Sequence, residues 1–255
     1  MDLLDYYRDL LKQQASDLDL SGISFRICFP SKFVDASSNF ALAAARMRGT
    51  SPLDECCKIC VALKDHQDFE NISFREGSYI LTWNIPSEVW FSRLKEIYNN
   101  PLVSMPCGLD IKLSSEEIFQ LQYVYTRIHS VYRHFLQRFP EEYRFLEEKS
   151  LNSSNFLLKP MKIALNLIKV ITGCGEWIKD IAAGRGFKNL QRYPMRLAEA
   201  FNELWNYHND GAEMVFIFPN DLKRTWQGIF ILKYLKQVLE QIFLVLKIDT
   251  VEELG

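Results

Sequence analysis

The run TWQGIFILKYLKQVLEQIFLVL, Thr225 to Leu246, constrains this chain more than any other stretch. A helix that is apolar along one stripe can lie on a surface, but one that is apolar nearly all round must be enclosed. Its Lys233, Lys236 and Glu240 interrupt any uniformly apolar span of the roughly 20 residues that a bilayer requires. The run therefore predicts the central helix of a bundle.

Other helical patterns supply the surroundings. SSEEIFQLQYVYTRIHSVYRHFLQRF opens with the capping-box pair Ser114 and Glu117 and keeps Ile118, Leu121, Tyr125, Ile128, Tyr132 and Phe135 on one stripe. LLKPMKIALNLIKVI is a further helix. In RLAEAFNELWNY, Leu197, Ala200, Phe201, Leu204 and Trp205 recur at the spacing of one helical face. Residues 114–255 thus read as an all-α bundle.

The chain ahead of it has a different character. Leu3, Leu4, Tyr7, Leu10 and Leu11 give an amphipathic helix, ISFRICF alternates as a strand, and SSNFALAAARM is a second helix. SPLDECCKICVAL is a third, with Ser51 at the N-cap and Pro52 at the first helical position. FENISFREGSYILTWNI reads as a hairpin turning at Glu76 and Gly77, and PSEVWFSRLKEIYNN as a closing helix. Residues 1–98 are therefore expected to form a small α+β domain with an antiparallel sheet. Pro101, Pro106 and Gly108 mark 99–113 as a linker.

Several chemistries find little support. Cys57 and Cys60 have the spacing of half a zinc site or of a redox pair, but no second half exists, and the four histidines are scattered. The bland alternative puts the CCKIC cysteines on the buried face of their helix. No metal or other cofactor is expected. EEYRFLEEK and the tail EELG alternate acids with basic or apolar neighbours, as solvated faces do. Cys174 in ITGCGEW has no histidine close in sequence and reads as a loop or helix-end cysteine. The amino terminus MDLLDYYRDLLKQQ carries acids where a secretory signal would carry a basic and then an apolar segment, so the expectation is a cytoplasmic protein with no membrane partner.

Charge is unevenly spread. The whole chain carries −2, yet between Lys159 and Arg196 eight cations stand against only Glu176 and Asp180. Among them Lys179, Arg185, Lys188, Arg192 and Arg196 suggest contact with a polyanion, whose phosphates release counterions when neutralised. Lys188, Arg192 and Arg196 step by four and share a helical face if the helix begins ahead of Pro194.

Taken in order, these stretches resemble arginyl-tRNA synthetases with the middle removed. QYVYTRIHSVYR, with Gln122, Tyr123, Arg127, Ile128, Ser130 and Arg133, resembles the first helix of that family's DALR anticodon-binding domain. LAEAFNELWNY resembles a later helix through Phe201, Trp205 and Asn206. KQVLEQIFLVLKIDTVEEL is similar to the family's carboxyl end, with Lys247 where a glycine is usual. VDASSNFALAAARMRGTSPLDE, through Asp35, Ser38, Asn39, Ala41, Leu42 and Pro52, resembles the amino-terminal domain that meets the tRNA elbow. Thr82 stands where that family has an amide side chain that helps read the elbow.

The resemblance implies tRNA as partner, with tRNA-Arg as the family's substrate. On the charge asymmetry, Lys179, Arg185, Lys188, Arg192 and Arg196 are expected to meet phosphates; Tyr207 is the better candidate to stack on an unpaired base, as anticodon-loop readers do, and Trp205, on the core face with Phe201 and Leu197, is either core or a second platform. No HIGH-type or KMSKS-type run, and no glycine-rich turn after a strand, occurs in these 255 residues. The expected function is a non-catalytic tRNA-binding protein that sequesters tRNA or presents it to a partner enzyme. Two alternatives stand beside it: an interaction or regulatory module that forms homodimers or binds a partner without RNA, and the tRNA-binding subunit of a split synthetase.

Overall fold

The computed structural model describes residues 3–13, 23–28, 34–99, 112–141, 164–175, 177–178, 187–206 and 216–251. Most of the expected linker, together with Lys179, Arg185 and Tyr207, lies outside them. The chain divides into two compact units, Met1–Trp90 and Phe91–Gly255.

The first unit contains helix α1 (Leu3–Gln13), strands β1 (Phe25–Ile27) and β2 (Ala36–Ser38), helices α2 (Phe40–Arg48) and α3 (Pro52–Leu63), strands β3 (Glu70–Arg75) and β4 (Ile80–Asn84), and the start of α4 (Ser87–Asn99). The strands form one antiparallel sheet in the order β1-β2-β4-β3. Alternation divides its residues between two faces. Phe25, Ala36, Leu81 and Trp83 are buried, while Arg26, Ser37, Thr82 and Ser73 form a polar row across all four strands on the other face. Tyr7 and Phe69 pack edge-on at 5.1 Å and both lie against Trp83, so α1 is fastened to the sheet by aromatic contact.

β2 departs from the expected helix start, since Ala36–Ser38 pairs with β1 and β4 and the helix begins only at Phe40. Ala and Ser have weak strand preferences, and tertiary pairing decides their conformation. Asp35, beside β2, is buried and accepts the Ile85 amide at 2.9 Å and, more weakly, the Trp90 indole at 3.5 Å.

The α3 cysteines do not all fill the buried face as expected. Cys56 is buried with Glu55, Ile59 and Leu63, but Cys57 is exposed and Cys60 half-buried. Adjacent helical residues point about 100° apart, so Cys56 and Cys57 cannot share one face. Glu55 is 1% exposed and joins the α2–α3 turn: Arg48 Nη1 lies 2.9 Å from Oε2, while the Thr50 hydroxyl and Lys58 Nζ lie 2.9 and 3.3 Å from Oε1.

The second unit holds α5 (Ser115–Arg138), α6 (Leu165–Thr172), α7 (Phe187–Trp205) and α8 (Leu222–Leu246). The Ser114–Glu117 capping box forms in both directions. α8 is central, burying residues around most of its circumference, from Thr225 and Ile229 through Leu235 and Leu239 to Phe243. α5 lies antiparallel on it, because Tyr125 meets Phe243 and Phe135 meets Trp226.

Gly228 of α8 admits Phe216, for a Cβ added there would lie 2.3 Å from the Phe216 Cβ. The Thr225 hydroxyl donates to the Phe218 carbonyl and accepts from its amide, closing the turn before α8. Lys247 ends α8 in the left-handed conformation, φ 55°, which favours glycine. Among the described residues no helix is long and apolar enough to cross a membrane.

Candidate nucleic-acid interface

A cluster of aromatic and cationic side chains lies where α5 and α7 of the second unit adjoin. On α5, Tyr123 and Arg127 are one helical turn apart, so their side chains share a face. α7 brings Trp205 to the same place. The Arg127 guanidinium carbon lies 4.8 Å from the centre of the Tyr123 ring and 5.0 Å from that of Trp205. Trp205 in turn stacks on buried Phe201, with centroids 5.6 Å apart and planes inclined by 29°. Phe119 extends the aromatic row from Tyr123 at 6.5 Å and is 54% exposed.

The cluster is partly open to solvent, with Tyr123, Arg127 and Trp205 each half-buried. Among the described residues Arg127 has no carboxylate or hydrogen-bond partner. Contact with ring faces leaves the edges of its guanidinium, with their N–H donors, available to a phosphate or a base. Such cation–aromatic pairs are worth about 0.5–1 kcal/mol when exposed, enough to orient the group.

The support behind α5 is built from its other faces. The Tyr125 hydroxyl donates to Glu240 at 3.1 Å, and Glu240 also pairs with Lys236. Gln122 donates to the Asp249 carbonyl at 3.0 Å, and the Thr126 hydroxyl lies 3.0 Å from the Val251 carbonyl, so the segment after α8 is held along α5.

The expected site residues fall in separate places. Arg192 is exposed and Arg196 half-buried on α7, whose helix runs unbroken through Pro194 and so carries Lys188, Arg192 and Arg196 in one rising row. Arg196 is nine positions from Trp205, half a turn around the helix, so Arg196 and Trp205 occupy opposite sides of α7. Thr82 belongs to the first unit, in its polar sheet row, 3.2 Å from the Ser73 hydroxyl. Lys179, Arg185 and Tyr207 lie outside the described residues.

Trp205 is only partly the core residue that its periodicity suggests. It stacks on Phe201 and lies 5.0 Å from the Arg127 guanidinium carbon, yet stays half-exposed. The pairing of Arg127 with Trp205 could not be read from spacing, because it depends on how α5 and α7 pack.

The two buried thiols are not suited to nucleophilic chemistry. Burial pushes Cys56 up to about 11 and Cys174 up to about 12, so both are protonated at neutral pH and poor nucleophiles. Tyr193, packed beside Cys174 and stacked on Trp177, is likewise pushed up by burial and donates to the Val170 carbonyl at 2.9 Å. Among the described residues no three His, Cys, Asp or Glu side chains come together as a metal site.

Comparison with known proteins gives this geometry a context. The arginine–tRNA ligase of Rhodospirillum rubrum is 24% identical over 220 residues, covering 84% of this chain and 37% of the relative. That of Wolbachia pipientis wMel is 24% identical over 213 residues, covering 79% and 35%, and that of Pelagibacter ubique 26% over 202 residues, covering 75% and 32%. The chain spans about a third of the length of these relatives. The family described as DALR anticodon binding domain matches residues 121–254, which contain Tyr123, Arg127 and Trp205. That match takes in more than half of the sequence, and the chain belongs to the DALR anticodon binding domain family.

Proposed function

We propose that this protein binds tRNA, using Tyr123, Arg127 and Trp205 to hold unstacked bases of the anticodon loop, and that it does so without aminoacylating the tRNA itself. The observation that carries the reading is the Arg127 guanidinium in contact with two half-exposed rings inside the anticodon-binding family match. Loop bases are splayed out and stack on aromatic and guanidinium planes, at about 1–3 kcal/mol per base.

Two further surfaces belong to the same reading. Lys179, Arg185, Lys188, Arg192 and Arg196 would contact phosphates, and Tyr207, two residues beyond Trp205, would add a stacking ring. The polar row containing Thr82 would meet the tRNA elbow, where hydroxyl groups suit sugar and phosphate oxygens. Similarity to arginine–tRNA ligases supports tRNA as the ligand class. Its non-catalytic character rests on the absence of HIGH-type and KMSKS-type runs from the 255 residues.

Retention of total tRNA on the purified protein, with sequencing of what stays bound, tests the ligand class. Enrichment of tRNA over other RNAs is expected, and indifference between tRNA and an unstructured RNA of equal length would contradict it.

A further inference from the structure

The α3 helix is apolar on two opposite sides. Cys56, Ile59 and Leu63 face the core of the first unit, while Leu53, Cys57 and Val61 recur every four residues along the outer side. Leu53 is 45% exposed and Val61 76%, and half-buried Cys60 lies beside them. A surface helix ordinarily turns a polar face outward.

We infer that this outer face of α3 pairs with the same face of a second copy of the chain, antiparallel, about a two-fold axis level with Cys57. The order of residues on the face supports that occupant. At about 100° per residue, Asp54 and Lys58 lie to one side of Cys57 and Leu53 and Cys60 to the other. The two-fold reverses the helix direction but keeps each flank on its own side.

Asp54 of one copy then comes within about 3 Å, measured along the axis at 1.5 Å per residue, of the partner's Lys58. The relation repeats on the other copy, giving two opposite-charge pairs. On the opposite flank Leu53 faces the partner's Cys60, and in front it faces the partner's Val61. The two Cys57 thiols meet at the centre. A parallel pair would lose these charge contacts, since it brings the Asp54 flank against the Leu53 flank.

Three helical turns form a contact well under the roughly 1,000 Å² of a stable interface, so the association is weak and reversible. Lys58 already touches Glu55 and is 64% exposed, leaving its ammonium group able to reach across. The inference does not depend on RNA binding.

The test is cross-linking of the full RNA-free chain with a short bismaleimide. Each maleimide adds one thiol: a carbon–sulfur bond forms, the thiol proton passes to the neighbouring ring carbon, and no oxidant is needed. The expected result is a covalent dimer that disappears in Cys57→Ser. Val61→Glu, with an unchanged melt, should lower the dimer yield about tenfold, as burying a carboxylate against an apolar neighbour costs at least that factor.

Asp54→Lys provides a second reading, because it sets like charges against Lys58 on both flanks without touching the apolar contacts. It too should reduce the yield. A parent protein that gives no Cys57-dependent dimer at high concentration would overturn the inference, as would Val61→Glu and Asp54→Lys variants that dimerise like the parent. Shielding of Cys57 only when RNA is added, with a monomeric parent, would assign the face to RNA and overturn it equally.

Discussion

The Arg127 guanidinium lies 5.0 Å from the centre of the Trp205 ring, joining α5 to α7 across 78 positions of sequence. The same half-exposed indole stacks on Phe201. In the proposed RNA-binding role, rings already held in place would reduce the ordering cost of binding.

Arg127→Ala should weaken tRNA binding and reduce its salt slope by about 1 if the guanidinium meets a phosphate. Arg127→Lys should keep the slope but lose affinity, because an ammonium lacks the planar, stackable fork of a guanidinium. Titrations at several salt concentrations separate the two.

Arg192→Ala combined with Arg196→Ala should lower the salt slope by about 1–2 and leave the melt nearly unchanged, since surface substitutions move stability by no more than about 0.5 kcal/mol. Loss of folding alongside loss of binding would point instead to a packing role for half-buried Arg196.

Gly228→Ala should destabilise the second unit by about 1–3 kcal/mol, because the new methyl group would displace Phe216 from a packed site. Thermal melts check the prediction. Lys247→Gly should have the opposite sign, stabilising the end of α8 by up to about 1 kcal/mol through relief of the left-handed conformation.

Glu55 links stability to pH. Burial alone would raise its pKa, but hydrogen bonds from Thr50, Lys58 and Arg48 outweigh that effect and hold it below its ordinary 4.5. The folded form therefore stays charged where the unfolded chain takes up a proton. Its contribution is complete above about pH 4.5 and is lost as pH falls through the lowered value. Glu55→Gln should cost about 1.5–3 kcal/mol near neutral pH and flatten the acid limb of the stability curve.

Much of the fold was legible because some residues specify structure locally. Ser114 and Glu117 bring both halves of a capping box at the required spacing, and the apolar circumference of α8 requires enclosure wherever it sits. β2 was not legible, since Ala36, Ser37 and Ser38 become a strand only through neighbours at Phe25 and Leu81. A run of cysteines suggests burial, but the angle between consecutive helical residues turns Cys57 outward. The basic row on α7 could be read from its steps of four. Its place on one helix with Trp205 follows from continuity through Pro194, which spacing alone left open.

The most direct test is the affinity of the purified chain for tRNA, measured in parallel for the parent, Tyr123→Ala and Trp205→Ala, each with a normal melt. The account predicts binding by the parent and a loss of about 1–3 kcal/mol in each variant, with little change in salt slope because stacking releases few ions. A parent that binds no tRNA at moderate salt, or variants that bind as the parent does, would contradict it.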